Sequence, residues 1–504
     1  MKPIRKSRSG VLSRRRFLQT TALAAGAVTF GVPTLLRAAN LNSKLNIAAI
    51  GAKGKGQSDT DLCSGENIVA LCDVDAEGCA SQRKKYPGAK FYQDYRRLFD
   101  EMANGIDAVT VSTPDHMHGI VASLAMRHGK HVYCQKPLVQ TVYETRYLRH
   151  LARSGGIVTQ MGNQGSAADG LRRAVECIQA GIIGQVHEVH IWTNRPVWPQ
   201  GVDRPEGSDP IPATLDWDVW IGVAPMRPFK ATLQKNGNGV YHPFNWRGWQ
   251  DFGTGALGDM ACHTVNMPFR ALHLGHPTEI EATILGRMNQ ETYPLGSKIR
   301  FAFPARKTKF EAVHKTLFHR HDVLEQAPVT LTWYDGGQPD ASAPNGHDSS
   351  NKPPHELLTD IEDLLGEVPD SACLIIGDQG KIFSPDDYGE QFFVKLNDDK
   401  KLVHYQKHPA VAGIPQTIPR NEFTGDSDKK HHQEWLAAIK DNNPLKCYSR
   451  FEIAGQLTEI MLLGCVAVRV GRKIEWDGPN MAARNCPEAA RFIKRENRAG
   501  WALA

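Results

Sequence analysis

The sequence predicts an α/β protein of two unlike domains: an N-terminal domain wound around a parallel sheet, and a C-terminal α+β domain with an open, mostly antiparallel sheet. Three observations carry this. From residue 45 to about 158, short apolar runs alternate with amphipathic stretches, the rhythm of repeated strand–helix units. A glycine-rich turn follows the first of those runs directly. Beyond Gly156 the apolar residues shift to alternation, in residues 186–192, between 279 and 303, at 329–334 and from 373 to 383, as in strands with one face in a core.

The first domain rests on apolar runs at 45–50, 68–72, 106–112 and 131–134; short continuous runs of this kind are buried on both faces of a parallel sheet. Residues 336–354, dense in Gly, Pro, Ser, Asn and Asp, read as a loop. Residues 431–442 and 451–470 read as helices, the second with an apolar face wide enough to pack on a core or subunit interface. The 504 residues, 41% hydrophobic and 23% charged, divide into a leader at 1–39, a first domain at 45–160, a second at 161–475 and a C-terminal tail at 476–504. A homo-oligomer is expected from the open sheet.

The net charge of +6 is concentrated at the N-terminus, in Lys2, Arg5, Lys6, Arg8, Arg14, Arg15 and Arg16. No basic stripe interleaved with aromatics follows, so nucleic-acid binding is not expected. An apolar stretch at about 20–36, rich in Ala and Gly, is short for a membrane span. Ser13-Arg14-Arg15-Arg16-Phe17-Leu18 resembles the twin-arginine export signature. The chain is therefore expected to engage the twin-arginine export machinery and reach the periplasm, either cleaved near Ala38 or Ala39 or held by an uncleaved anchor. Its ten cysteines form no CxxC pair, and buried free thiols are expected. His187 and His190 fall on opposite faces of a strand and no acidic residue completes a triad, so no metal site is expected.

The glycine turn is Gly51-Ala52-Lys53-Gly54-Lys55-Gly56. Between a strand and a helix, such a turn frees backbone N–H groups to face a pyrophosphate, as in a Rossmann domain. Lys53 stands where the second glycine of G-x-G-x-x-G is expected. Asp73, at the end of the second strand, is placed to accept hydrogen bonds from ribose hydroxyls, which favours NAD; Arg83 and Lys84 leave NADP open.

Two further segments carry chemistry. Thr113-Pro114-Asp115-His116-Met117-His118 follows one strand and Gln135-Lys136-Pro137 follows the next, while Asp259 and His263 lie four residues apart, on one face of a helix. In these positions the chain resembles the Gfo/Idh/MocA oxidoreductases, in which T-P-x-x-x-H precedes E-K-P and a downstream D-x-x-x-H pair completes the site. The resemblance implies a cofactor site at Thr113, Pro114, His118, Gln135, Lys136 and Asn163, with Gln135 in place of the usual glutamate. It implies that Lys136 holds the substrate oxygen, that His263, titrating near neutrality, takes the hydroxyl proton, and that Asp259 orients the substrate or the imidazole. Gln164, Trp246 and Arg247 are candidate substrate contacts, within a Trp-rich stretch suited to sugar rings. The expected activity is NAD-dependent oxidation of a secondary hydroxyl of a sugar, polyol or glycoside, or reduction of the ketone, on a tightly held cofactor. A hydrolase that oxidises, eliminates and re-reduces a glycoside, and a non-catalytic sugar binder with a degenerate nucleotide site, are the alternatives.

Overall fold

Strand β1 (Asn46–Ile50) is buried along its last four residues, which requires a place inside a sheet covered on both faces. The computed structural model, which describes residues 44–309 and 323–503, puts it there. With β2 (Asn67–Cys72), β3 (Lys90–Tyr92), β4 (Ala108–Val111), β5 (His131–Gln135) and β6 (Thr159–Gly162) it forms a six-stranded sheet in the order β3-β2-β1-β4-β5-β6. All five pairings are parallel. Ile50 pairs with both Cys72 and Val111, and Val111 with Cys134. The register therefore brings Gly51, Asp73, Ser112 and Gln135-Lys136 to one edge, at the point between β1 and β4 where strand order reverses and open α/β sheets bind ligands.

The second sheet takes β7 (Val186–Thr193), β8 (Glu279–Leu285), β9 (Gly296–Phe303), β12 (Val329–Asp335), β13 (Ala372–Gly377), β14 (Gly380–Ser384), β15 (Phe393–Leu396), β16 (Val403–His404), β17 (Ile474–Asp477) and β18 (Ala482–Ala483). Their order is β16-β15-β14-β13-β7-β12-β9-β8-β17-β18, while β10 (Arg306–Lys309) and β11 (Val323–Gln326) pair separately. Only β7 and β12 run parallel; the other pairings are antiparallel. The leader at 1–39 lies outside the described residues.

The two sheets are tied by helices that belong to neither alone. The helix Ser427–Lys440 returns to the first sheet, where Trp435, Leu436, Ala438 and Ile439 pack with Ile47, Ala108, Tyr133 and Val158. The helix Phe451–Val470 is apolar nearly all round and long enough to cross a membrane, yet it is largely buried inside the protein, against the helices Val142–Gly155 and Gly255–Thr264 and against β8. All ten cysteines are buried and free.

Residues 194–254 join neither sheet. They gather Leu215, Trp217, Trp220, Tyr241, Trp246, Trp249 and Phe252 into a core of their own. This layer is bonded to the first domain by Ala76 N–H to Thr214 O (2.9 Å), Asp216 N–H to Val74 O (2.9 Å) and His116 N–H to Phe252 O (3.1 Å). It thereby roofs the edge at which Gly51 and Asp73 stand.

Candidate active site

At the nucleotide end the backbone itself demands glycine. Gly51 has φ of +78°, and a Cβ there would lie 2.7 Å from the Ser112 carbonyl; a Cβ on Gly56 would lie 1.6 Å from Gly51 O. Gly54, with φ of +62°, opens the helix Lys55–Leu62. A Rossmann turn of this closeness is what lets a pyrophosphate approach the backbone. Lys53 does not block it. Its ammonium turns to Asp75 Oδ2 (2.8 Å), and its N–H donates to Asp73 Oδ2 (3.0 Å). Asp73 also accepts from the Asp75 N–H (3.0 Å), and burial pushes its carboxyl up to about 6. Asp73 thus braces the turn while lining the cleft.

At the other end Lys136 Nζ donates to Asp259 Oδ1 (2.8 Å) and to Asp259 O (2.9 Å). Arg247 Nε approaches the same Oδ1 at 3.3 Å. Burial opposes ionisation of Asp259, but the charges of Lys136 and Arg247 outweigh it and hold the carboxyl below its ordinary range. His263, one turn further on, meets the edge of Tyr388 at 4.9 Å between ring centroids, and its buried Nδ1 has no partner. Burial, then the charge of Lys136, presses its pKa down to about 3. The imidazole expected to titrate near neutrality is held neutral instead. The carboxyl that does titrate there is Asp115, buried, accepting from Thr254 Oγ1 (2.6 Å) and lifted by burial to about 7.

Gln135, in the place of a glutamate, donates through Nε2 to Asp59 Oδ2 (2.9 Å), which also accepts from Ser112 Oγ (2.7 Å). Asp59 is fully buried, and despite that burial the neighbouring His432 and Lys55 keep its carboxyl below the ordinary range. A negative charge missing from the tripeptide is thus supplied beside it by another helix. Asp59, Asp428 and His432 are close enough to hold a metal, but Lys55 Nζ lies 3.0 Å from Asp59 Oδ1 and 2.6 Å from Asp428 Oδ2. Its ammonium takes the cation's position.

One cleft of about 710 Å³ connects the two ends. Gly51, Lys53, Gly54, Asp73, Thr113, Pro114, Gln135, Lys136, Gln164, Trp246, Arg247, Asp259 and His263 all line it. Gly56 lies behind, packed on Gly51. His118 and Asn163 must be corrected. The His118 ring sits between Pro137 O (2.8 Å) and Thr113 O (2.7 Å), locking the two site loops together rather than facing a ligand. Asn163 is fully buried, donating to Cys262 O (3.1 Å) and accepting from Ser449 Oγ. The tryptophans are also largely committed. Arg247 lies 4.3 Å over Trp246 and 4.5 Å over Phe244, so those rings position a cation, while Trp217, Trp220 and Trp249 fill the roof. Asp115, Arg195, Asp387 and Tyr388 line the cleft without having been singled out in the sequence. Only Asp115 carried a signal, its place inside T-P-x-x-x-H.

Fold and site together define a Rossmann-type nucleotide edge and a lysine–aspartate–histidine centre in one cleft. Residues 45–163 match the family model described as "oxidoreductase family, NAD-binding Rossmann fold", and residues 185–281 match that of the same family's C-terminal alpha/beta domain. Over these residues the chain is similar to the Gfo/Idh/MocA oxidoreductases. Inositol 2-dehydrogenase of Salmonella typhimurium is 29% identical over 151 residues, which are 29% of this chain and 44% of that protein. The chain spans less than half the length of the curated relatives it first matches. Among solved structures, an inositol dehydrogenase homolog from Azotobacter vinelandii, complexed with NADH and myo-inositol, superposes with a TM-score of 0.53 at 14% identity, covering 86% of this chain and 98% of that one. An aldose-aldose oxidoreductase from Caulobacter crescentus does so with 0.53 at 13%, covering 86% and 100%. These two likenesses concern the fold.

Proposed function

We propose that this protein is an NAD-dependent oxidoreductase that oxidises a secondary hydroxyl of a sugar, polyol or glycoside, or reduces the corresponding ketone. The observation that carries the reading is the Lys136–Asp259–His263 centre in the same cleft as the Gly51–Asp73 edge. The cradle fits a dinucleotide: Gly51 and Gly56 leave space that a Cβ would fill, and Asp73 faces the cleft. Gly51, Gly54, Thr113 and Asp73 would hold NAD, which supplies the two-electron acceptor when bound.

Lys136, aimed by Asp259, donates a hydrogen bond to the substrate oxygen and stabilises the alkoxide as it develops. His263 is neutral and no hydrogen bond within the described residues fixes its ring, so it is free to accept the hydroxyl proton. A base pressed to about 3 holds a proton poorly. Asp115, whose carboxyl is faced by the charge of Lys136, is the better reservoir near neutral pH.

The roof of residues 194–254 supports a cofactor retained between turnovers, since it contributes Trp220 and His242 to the lining of the cleft. Retention is consistent with export through the twin-arginine route, which carries folded proteins, into a compartment poor in free NAD. The acids Asp73 and Asp75 favour NAD over NADP. The reading is tested by mixing the purified protein with a panel of pyranosides and polyols and following the nicotinamide absorbance. A rise with at least one neutral sugar is expected. Release of nitrophenol from a nitrophenyl glycoside without net NADH would point to the hydrolase, and absence of both binding and turnover would overturn the proposal.

A further inference from the structure

Beyond the reacting centre, the cleft contains a cation and an anion that face it without meeting. Arg195 lies two residues beyond β7, and among the described residues its guanidinium donates only to the neighbouring Asn194 Oδ1 (2.5 Å) and forms no ion pair. Asp387 lies in the turn between β14 and β15, and its buried Oδ1 has no hydrogen-bond partner among the described residues. Both line the cleft on the side of His263. Burial lifts the Asp387 carboxyl above its ordinary range, and the charge of Arg195 and a hydrogen bond with Ser371 pull against that.

The turn carrying Asp387 is built rather than loose. The Asp386 carboxylate accepts from the N–H groups of Tyr388 (2.8 Å), Glu390 (3.1 Å) and Gln391 (3.0 Å). Its backbone presses so closely on the neighbouring segment that a Cβ on Gly165 would stand 2.4 Å from Tyr388 O and one on Gly170 1.9 Å from Glu390 O. Asp387 is therefore presented at a fixed place.

We infer that Arg195 and Asp387 form a specificity subsite that reads hydroxyl groups on an uncharged sugar or polyol, at ring positions other than the one oxidised; this rests on the oxidoreductase reading above. The chemistry selects the ligand class. An anionic substituent would satisfy Arg195 but be repelled by Asp387, and a cationic one the reverse. A hydroxyl both donates and accepts, so it completes both groups without adding charge. The reacting centre adds only one net positive charge, from Lys136 and Arg247 against Asp259, which gives no strong pull on an acidic sugar.

The test uses the purified full-length protein with its bound cofactor. Binding is read by tryptophan fluorescence and turnover by nicotinamide absorbance, for methyl glucoside, methyl galactoside, myo-inositol, glucuronate and glucosamine. At least one neutral probe is expected to bind more tightly than both charged ones. Arg195→Met and Asp387→Asn should each raise KM for it by about 10- to 100-fold, the loss of a hydrogen bond to a charged group, with kcat falling less than KM rises. Arg195→Lys, which keeps the charge but not the planar fork, should fall between, and unchanged melting temperatures show that the variants fold. A preference for glucuronate or glucosamine, or turnover with wild-type KM in both variants, would overturn the subsite. Binding of a neutral sugar that responds to both variants without turnover would uphold the subsite and overturn the oxidoreductase reading instead.

Discussion

At the scale of single residues the site is a contest between burial and neighbouring charge, and the outcome differs from side chain to side chain. Asp259 stays ionised because Lys136 and Arg247 surround it, whereas Asp115, with only Thr254 as a direct partner, is lifted to about 7. Lys136→Met should lower kcat by about 10²- to 10³-fold, as when a donor to a developing oxyanion is removed, while leaving NAD bound; equal loss of both would mean that the lysine is structural. For Asp115 the sign follows from linkage. Its folded pKa lies above the unfolded value, so the folded state holds the extra proton, and this contribution to stability is present at low pH and lost as pH rises toward 7. Asp115→Asn keeps the shape and lets the Thr254 hydroxyl reverse its role. The melting temperature of the wild type relative to this variant should therefore fall between about pH 4 and 7, and a constant difference would contradict the shift.

What the sequence revealed at this scale followed from local spacing. Lys136, Asp259 and His263 were legible as motif positions, and the helix Gly255–Thr264, lying where Lys136 meets Asp259, brings them together. The misplacements have one cause: a polar residue beside a site can turn inward. His118 and Asn163 do so, meeting backbone carbonyls and, for Asn163, the Ser449 hydroxyl, partners that no local pattern reveals. The replacement of a glutamate by Gln135 looked like a lost charge because Asp59, 76 positions away, could not be seen to stand against it.

At the scale of elements, strands with continuous apolar runs were readable and short ones were not. β3 has three residues and β16 and β18 two each, too few to show alternation, and they exist because longer neighbours offer them an edge. The β1–helix turn is the element on which cofactor binding depends. Gly56→Ala places a methyl group where Gly51 O already lies, so the turn must open. Calorimetric titration of cofactor-free protein with NAD should show binding weakened by at least about tenfold, which corresponds to 1.4 kcal/mol; unchanged affinity would mean that the dinucleotide does not use this turn. The Trp-rich stretch read as a carbohydrate cleft is mostly a roof, in which Trp217 and Trp249 bury against other rings, while Trp198, Trp220 and Trp246 also line the cleft.

At the scale of the molecule, two domains distinct in sequence share their cores. Trp435, from the C-terminal half of the chain, is fully buried on the first sheet, and Arg172 and Glu434 form a buried ion pair at 2.5 Å nearby. The described protein should therefore unfold in a single calorimetric transition, and Trp435→Ala should lower its stability by about 3–5 kcal/mol without splitting that transition. Two separate transitions in the wild type would show that the shared core does not couple the domains. The fold class was legible because alternation changes character near residue 160; the coupling was not, because the helix Ser427–Lys440 gives no local sign of which sheet it covers.

The most direct test of the central claim follows the transferred atom. Incubated with perdeuterated glucose or perdeuterated myo-inositol, the protein should yield nicotinamide carrying one deuterium at C4, detected by mass spectrometry of the released cofactor, and Lys136→Met should suppress that labelling. Product formation with unlabelled cofactor and deuterium lost to water would contradict oxidation of the sugar by NAD in this cleft.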